Sequence, residues 1–210
     1  MKQAFDNSAD EELLRLMLAG DRAAFAQLYQ RWQSSVYRFA LRMTGASALA
    51  EDITQDVFLI LMRDGGQYEA RGKFASYIFT IARHSVLRRL QRERRFVSFE
   101  PDTDFEQDGE GAVEETILNE DDPLAELTRN EMIDAVRQAV QGLPLHYREV
   151  VLLCHLHELS YAEAAEIIGC EIGTVCSRLY RARAILAKRL DALKADTAPQ
   201  MNLNLARCSI

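Results

Sequence analysis

Little in this sequence interrupts a helix. Of 210 residues only 10 are glycine and 4 are proline, too few for a chain of many short strands and tight turns. No stretch approaches the roughly 18 uncharged apolar residues that a membrane span needs. The opening residues, MKQAFDNSADEELL, lack the apolar core of a secretion signal and carry acids where such a signal has none. A cytoplasmic chain without membrane insertion is therefore expected. Its four cysteines, Cys154, Cys170, Cys176 and Cys208, include no CxxC pair, and in a reducing compartment free cysteine serves mostly as a small buried hydrophobe. No nucleophile–base pair, phosphate loop or carboxylate dyad occurs at a usable spacing. The reading is of a protein that is not an enzyme, with no catalytic residue, no cofactor and no metal.

What the chain does have is helix-forming composition and segregated charge. Residues 1–95 are rich in Ala, Leu and Arg, all strong helix formers. The overall content, 48% hydrophobic and 27% charged, suits a core-forming chain. The net charge of −7 is uneven: residues 1–99 carry +4, residues 100–126 carry −12 with no base among them, and residues 127–210 carry +1. The acidity belongs to one segment, and its flanks are mildly basic. That segment holds few large apolar residues and cannot bury enough surface to offset its ordering entropy. It reads as an acidic, flexible linker over 96–122, either a plain solvated spacer or one whose charge has a role. Its residues could span at most about 90 Å.

The expected fold is all-α: two small helical domains joined by that linker, over residues 1–95 and 123–196, with a tail at 197–210. In the first, Phe25, Leu28, Tyr29, Trp32, Val36, Phe39, Ala40 and Met43 repeat at helical spacing up to Gly45. Ser47 is placed to cap a second helix with an inner stripe of Ile53, Val57, Ile60 and Leu61. Its other side carries Glu51, Asp52, Gln55 and Asp56, and Asp64-Gly65-Gly66 stops it. Glu51 and Asp52 could be first-turn acids that suit the helix dipole. Asp56 lies further along, and makes an acidic face toward a basic partner the alternative.

After a loop at 67–73, a third helix runs from 74 to about 95. Phe74, Tyr77, Ile78 and Phe79 lead into Arg83, His84, Arg88, Arg89, Arg92, Arg94 and Arg95. Aromatics beside clustered arginines suit stacking on unpaired bases and tracking phosphates; a solvated basic helix end is the plainer alternative.

In the second domain, Pro123 suits a first helical turn, and Ile133, Val136 and Val140 share a face. Leu143-Pro144 breaks that helix, and Val150, Val151 and Leu153 mark the next. Ser160 and Glu163 form a capping box for a helix ended by Gly169. A turn at 170–173 leads to Thr174, the expected cap of a last helix with a stripe of Val175, Leu179, Ala182, Leu186 and Leu190. Ser177, Arg178, Tyr180 and Arg181 lie off that stripe. Two helices, a tight turn and an arginine-bearing second helix make a helix-turn-helix, whose second helix enters the major groove.

Taken together, DRAAFAQLYQRWQSSVYRFALRMTG, AEDITQDVFLIL, KFASYIFTIARHSVLRRLQR, LPLHYREVVLL and LSYAEAAEIIGCEIGTVCSRLYRARAIL resemble the extracytoplasmic-function (ECF) sigma factors of bacterial RNA polymerase, over roughly residues 10–193. The resemblance implies a factor that binds core polymerase and directs it to a promoter class. By position, Glu51, Asp52, Gln55 and Asp56 would contact core polymerase. Lys73, Phe74, Tyr77, Arg83, His84 and Arg88 would capture bases of the −10 strand. Thr174, Ser177, Arg178, Tyr180 and Arg181 would read the −35 duplex. It further implies promoter DNA and an anti-sigma factor as partners. Relatives commonly carry Trp where this chain has Tyr77 or Ile78, Asn in place of His84, and Arg in place of Cys176. A stand-alone helix-turn-helix regulator remains the alternative, with metal or redox sensing through Cys154, His155, His157 and Cys170 as an added possibility.

Overall fold

The computed structural model describes residues 7–67, 73–97 and 123–197. Among them the chain is helical throughout. The first group comprises α1 (Asn7–Leu18), α2 (Arg22–Thr44), α3 (Ser47–Asp64) and α4 (Phe74–Val97); the second comprises α5 (Pro123–Gln141), α6 (Leu145–Val151), α7 (Tyr161–Ile168) and α8 (Ile172–Thr197). A single 3₁₀ turn, Gly65–Gln67, follows α3, and a π-helical turn, Leu152–Leu156, follows α6. Of the linker expected at 96–122, Phe96 and Val97 instead continue α4, and Thr197 of the expected tail ends α8; residues 98–122 and 198–210 lie outside the described residues.

Local chemistry sets the boundaries of α2. The Asp21 carboxylate accepts from the amides of Ala23 at 2.7 Å and Ala24 at 3.2 Å, satisfying two donors that no helical carbonyl reaches. At the other end Gly45 takes a left-handed φ of 79° and donates to Leu41 O at 2.8 Å. Asp21→Ala is expected to cost about 1 kcal/mol, read as a lower urea midpoint with an unchanged slope. An unaltered midpoint would show that water replaces the cap at no cost.

The apolar repeat of α2 faces inward as its spacing requires. Leu28, Trp32, Val36, Phe39 and Ala40 are completely buried, together with Ile53, Val57 and Leu61 from α3. The Trp32 ring meets Phe74 edge-on at 5.4 Å and Phe79 at 6.1 Å, so α4 closes the bundle over α2 and α3. The second group packs Val150, Leu153, Ile167, Val175, Leu179 and Ala182 around α6, α7 and α8. The two groups touch. Helix α4 packs against α7, and α2 against α5 and α6.

Three local expectations need correcting. Ser47 does not cap α3: Ala46 stands at that position without a side-chain bond, and Ser47 is already helical. Glu51 and Asp52 thus fall in the second turn, beyond reach of the first-turn dipole argument. Thr174 does not cap α8, which begins two residues earlier; the Glu171 carbonyl accepts the amides of Thr174 at 2.9 Å and Val175 at 3.3 Å. On α5, Ile133 and Val136 are exposed, while Ala139 and Val140 pack inward. A shared apolar face shows which residues can be buried together, not whether a neighbour arrives to bury them.

Candidate nucleic-acid interface

Helix α7 opens on a capping box and closes on a left-handed glycine that turns the chain toward α8. The Ser160 hydroxyl accepts the Glu163 amide at 3.2 Å, and the Glu163 carboxylate accepts the Ser160 amide at 2.8 Å. Gly169, at φ 75°, turns the chain while its amide and that of Cys170 bond Ala165 O at 2.9 and 3.0 Å. Buried Val175, Leu179 and Ala182 seat α8 on its neighbours and leave Ser177, Tyr180 and Arg181 exposed, Tyr180 most of all at 77%. Thr174 is half-buried, and its carbonyl accepts the Ser177 hydroxyl at 3.0 Å. The exposed row is a polar helix face with an aromatic ring and a guanidinium free to meet base edges and phosphates.

Arg178 is placed differently from Arg181. Its Nη1 donates to Glu149 Oε1 at 3.1 Å, and the other oxygen of the same carboxylate accepts from Arg83 Nε at 2.9 Å. Glu149 itself is buried, at 3% exposure. An isolated carboxylate there would be costly, and two charge-assisted bonds compensate it. The sequence reading missed Glu149. The available signal was a lone acid leading into the apolar run Val150, Val151, Leu152 and Leu153.

Helix α4 carries the remaining basic groups. His84, Arg88 and Arg92 are exposed. Lys73, just before the helix, is exposed and pairs with Glu163 at 3.0 Å. Burial works against ionisation of Glu163, but the Ser160 bonds and Lys73 outweigh it and hold the carboxyl below its ordinary range. Phe74 is a core residue, completely buried against Trp32. Tyr77 is half-buried, its hydroxyl donating to Asp64 O at 3.3 Å; burial first, then the Asp64 charge, push the phenol up.

Between α2 and α3 lies an open groove of about 300 Å³ lined by Tyr29, Gln33, Ser34, Tyr37, Glu51, Thr54 and Gln55. Glu51 and Gln55 are exposed. Asp52 and Asp56 lie toward α4, where Arg89 reaches Asp56 at 3.0 Å and Asp52 at 3.6 Å. The acidic face is therefore partly neutralised by its own domain.

The proposed sensor residues are not gathered into a site. Among the described residues no three His, Cys, Asp or Glu side chains stand where they could hold one metal ion. The Cys154 thiol is pushed up to about 11, by burial first and by the Cys176 thiol second, with Arg183 opposing; at neutral pH it is a poor nucleophile. His155 contacts Arg183 at 3.2 Å. His157 is buried, its ring 4.2 Å from that of Phe79 and 5.9 Å from that of Phe39.

A four-helix domain with a basic helix, followed by a helix-turn-helix with an exposed polar face on its second helix, defines the two-domain class of transcription initiation factors. Sigma-70 region 2 matches residues 28–96 and Sigma-70 region 4 matches residues 133–186. ECF RNA polymerase sigma factor SigM of Mycobacterium tuberculosis is 32% identical over 186 residues, covering 88% of this chain and 86% of that one. ECF RNA polymerase sigma factor SigW of Bacillus subtilis is 28% identical over 176 residues, covering 81% and 91%. The chain belongs to the ECF family of RNA polymerase sigma factors. As a sigma factor it directs transcription initiation; the stand-alone regulator is not favoured. The sigma factor RpoE, solved with the anti-sigma factor NepR from Bartonella quintana, has the same fold, at a TM-score of 0.65 and 24% identity over 80% of this chain and 96% of that one. CnrH, solved with the cytosolic domain of CnrY, does so at 0.62 and 24% over 88% and 98%. No helix among the described residues is long and apolar enough to cross a membrane.

Proposed function

We propose that the N-terminal helices bind core polymerase and the −10 strand, that α8 reads the −35 element, and that the chain acts in the cytoplasm without chemistry of its own. The carrying observation is the recognition face of α8: Ser177, Tyr180 and Arg181 are exposed on a helix whose opposite side is buried. Thr174 and Arg178 flank that face. Arg178 is engaged by Glu149, so Arg181 is the better candidate for a base or phosphate contact. Arg181→Ala leaves the apolar stripe untouched and is expected to preserve the fold. Loss of a base contact costs about 1–3 kcal/mol and relaxes preference at one position; loss of a phosphate contact weakens all sequences and lowers the salt slope by about one. Titrating promoter and scrambled duplexes with the polymerase-bound factor separates the two. Wild-type affinity and selectivity would remove Arg181 from the interface.

Glu51, Asp52, Gln55 and Asp56 with the adjoining groove are the proposed surface for core polymerase, and Lys73, Tyr77, Arg83, His84 and Arg88 the proposed −10 surface, with Phe74 supporting it from the core. Since Arg89 already holds Asp52 and Asp56, a basic partner must compete with it. Reversing both acids to lysine is expected to weaken core binding by about 1–2 kcal/mol, single exposed pairs being worth at most about 1. Unchanged affinity of a folded double variant, measured by competition for core polymerase, would rule that face out. An anti-sigma factor is a further proposed partner, supported by the two solved relatives described above, each in complex with one or with part of another protein.

A further inference from the structure

Two thiols lie along one edge of α8. The π-helical turn Leu152–Leu156 meets that edge where His155 Nε2 and Arg183 Nη2 stand 3.2 Å apart. Cys154 immediately precedes His155; it is half-buried and packs against the hydrophobic core. Cys176 lies about two helical turns before Arg183, and therefore on the same strip of α8. It is exposed, and it and Arg183 are the two ionisable neighbours whose charges act on the Cys154 thiol. Cys154 thus sits beside the stretch of α8 that runs from Cys176 to Arg183.

The backbone that places Cys154 there is irregular. Helices are rarely interrupted by a π turn, and such turns gather at functional sites. This one is followed by Glu158 at a left-handed φ of 52°, a conformation that is unfavourable for a residue with a side chain. Two thiols so placed have a chemistry that neither has alone, oxidation to a disulfide. In a reducing compartment such a bond is transient and reports the presence of an oxidant. On the other side of the pair, Cys176 adjoins Ser177 and stands one turn before Tyr180, both exposed on the proposed −35 face.

We propose that oxidants of the peroxide class join Cys154 to Cys176, and that the bond disables reading of the −35 element by α8. Formation of the bond stands on the placement of the thiols; only its consequence rests on the proposed role of α8. The exposed Cys176 thiolate attacks one peroxide oxygen, the O–O bond breaks and hydroxide leaves, giving a sulfenic acid. Cys154, as thiolate, then attacks that sulfur; the S–S bond forms as the S–O bond breaks and a second hydroxide leaves. The two thiol protons turn both hydroxides into water, and one peroxide has taken two electrons from two thiols. Burial makes Cys154 a poor nucleophile, which a fixed neighbour offsets by its high effective concentration. A disulfide holds its Cα atoms within about 7 Å and its torsion near ±90°. The π turn and α8 must then adopt the geometry of the bond in place of their own packing. Ser177, Tyr180 and Arg181 ride on α8, and a recognition site tolerates displacements of only about 0.5 Å.

The full-length protein is treated with hydrogen peroxide, its remaining thiols are blocked with iodoacetamide, and its peptides are mapped by mass spectrometry. A Cys154–Cys176 peptide pair that dithiothreitol separates is expected. Cys176→Ser and Cys154→Ala should each abolish the pair, and in Cys154→Ala dimedone should label Cys176, whose sulfenic acid then has no thiol to resolve it. With the oxidant removed and core polymerase added, oxidised wild type should bind a −35 duplex at least about tenfold more weakly than reduced protein, the equivalent of one lost base contact. Dithiothreitol should restore that binding, and Cys176→Ser should bind equally before and after peroxide. The bond is overturned if peroxide leaves both thiols open to iodoacetamide, or links either one to Cys170 or Cys208 instead. Its consequence is overturned if the bond forms and the duplex is bound as before. Should Cys154→Ala lose its helical signal in circular dichroism, Cys176→Ser and the reversal by dithiothreitol decide the same questions. A reduced wild type that does not bind the duplex with polymerase counts against the proposed role of α8 and leaves the mapped bond standing.

Discussion

Glu149→Ala is expected to destabilise the protein by about 3–5 kcal/mol, because removing one partner of a buried ionic cluster leaves the others uncompensated. The Arg83 and Arg178 side chains are only 15% and 27% exposed where they meet the carboxylate. Their guanidinium charges would repel across the vacated site and be only partly rehydrated. Glu149→Gln should cost less, since the amide keeps one oxygen to accept from one arginine, although it loses the charge and turns its NH2 toward the other. Urea denaturation followed by circular dichroism measures both. The ordering wild type, Gln, Ala is the result that supports the cluster; a loss under about 1 kcal/mol for Ala would mean that both arginines reach water freely.

Acid should weaken the contact between the two helical groups through His157. Burial, with the nearby Arg38 guanidinium as the lesser cause, lowers its pKa from 6.5 to about 3. The ring is thus neutral in the native protein and takes up a proton readily only when released. Its contribution is complete above pH 6.5 and is lost as pH falls from there toward 3, by about 1.4 kcal/mol per unit. His157→Phe keeps an aromatic ring against Phe79 and removes the titration. The stability difference between wild type and this variant should therefore widen against wild type below pH 6.5, by nearly 3 kcal/mol at about pH 4.5. Glu163 and Asp64, both held below the ordinary carboxylate range, and His155, lowered by burial and Arg183, are common to both proteins and cancel in the difference. Parallel pH profiles would show that water already reaches the ring at neutral pH.

Much of the fold was legible in the residues because its signals are local. The 3.6-residue repeat in α2, the Ser160–Glu163 box and the glycines after α2 and α7 act within a few positions of themselves. Boundaries resting on a single polar residue were less secure. Ser47 and Thr174 look like caps, yet Ala46 and Glu171 precede the first helical residues, since a hydroxyl inside the first turn is as acceptable there as one before it. Missed altogether was α1, whose short, acid-rich stretch gives a weak repeat; its Leu14 and Met17 find their place only against the finished bundle.

The proposed interfaces divide in the same way. Exposure of Ser177, Tyr180 and Arg181 follows from their offset against Val175, Leu179 and Ala182, a relation fixed by helix geometry alone. Arg178 shares that offset but not that freedom. Its partner Glu149 lies 29 residues away in sequence, and Arg89 finds Asp56 33 residues away. His157 is a surface residue or a buried one depending on whether Phe79 is present. The sequence by itself determined the helices, their inward faces and the kinship of both domains, because these depend on periodicity and on motifs a few residues long. Only the tertiary structure decided which arginines are free and which are held, and that the two domains meet across Glu149. Ion pairs and ring contacts between distant segments leave no periodic trace in the chain that makes them.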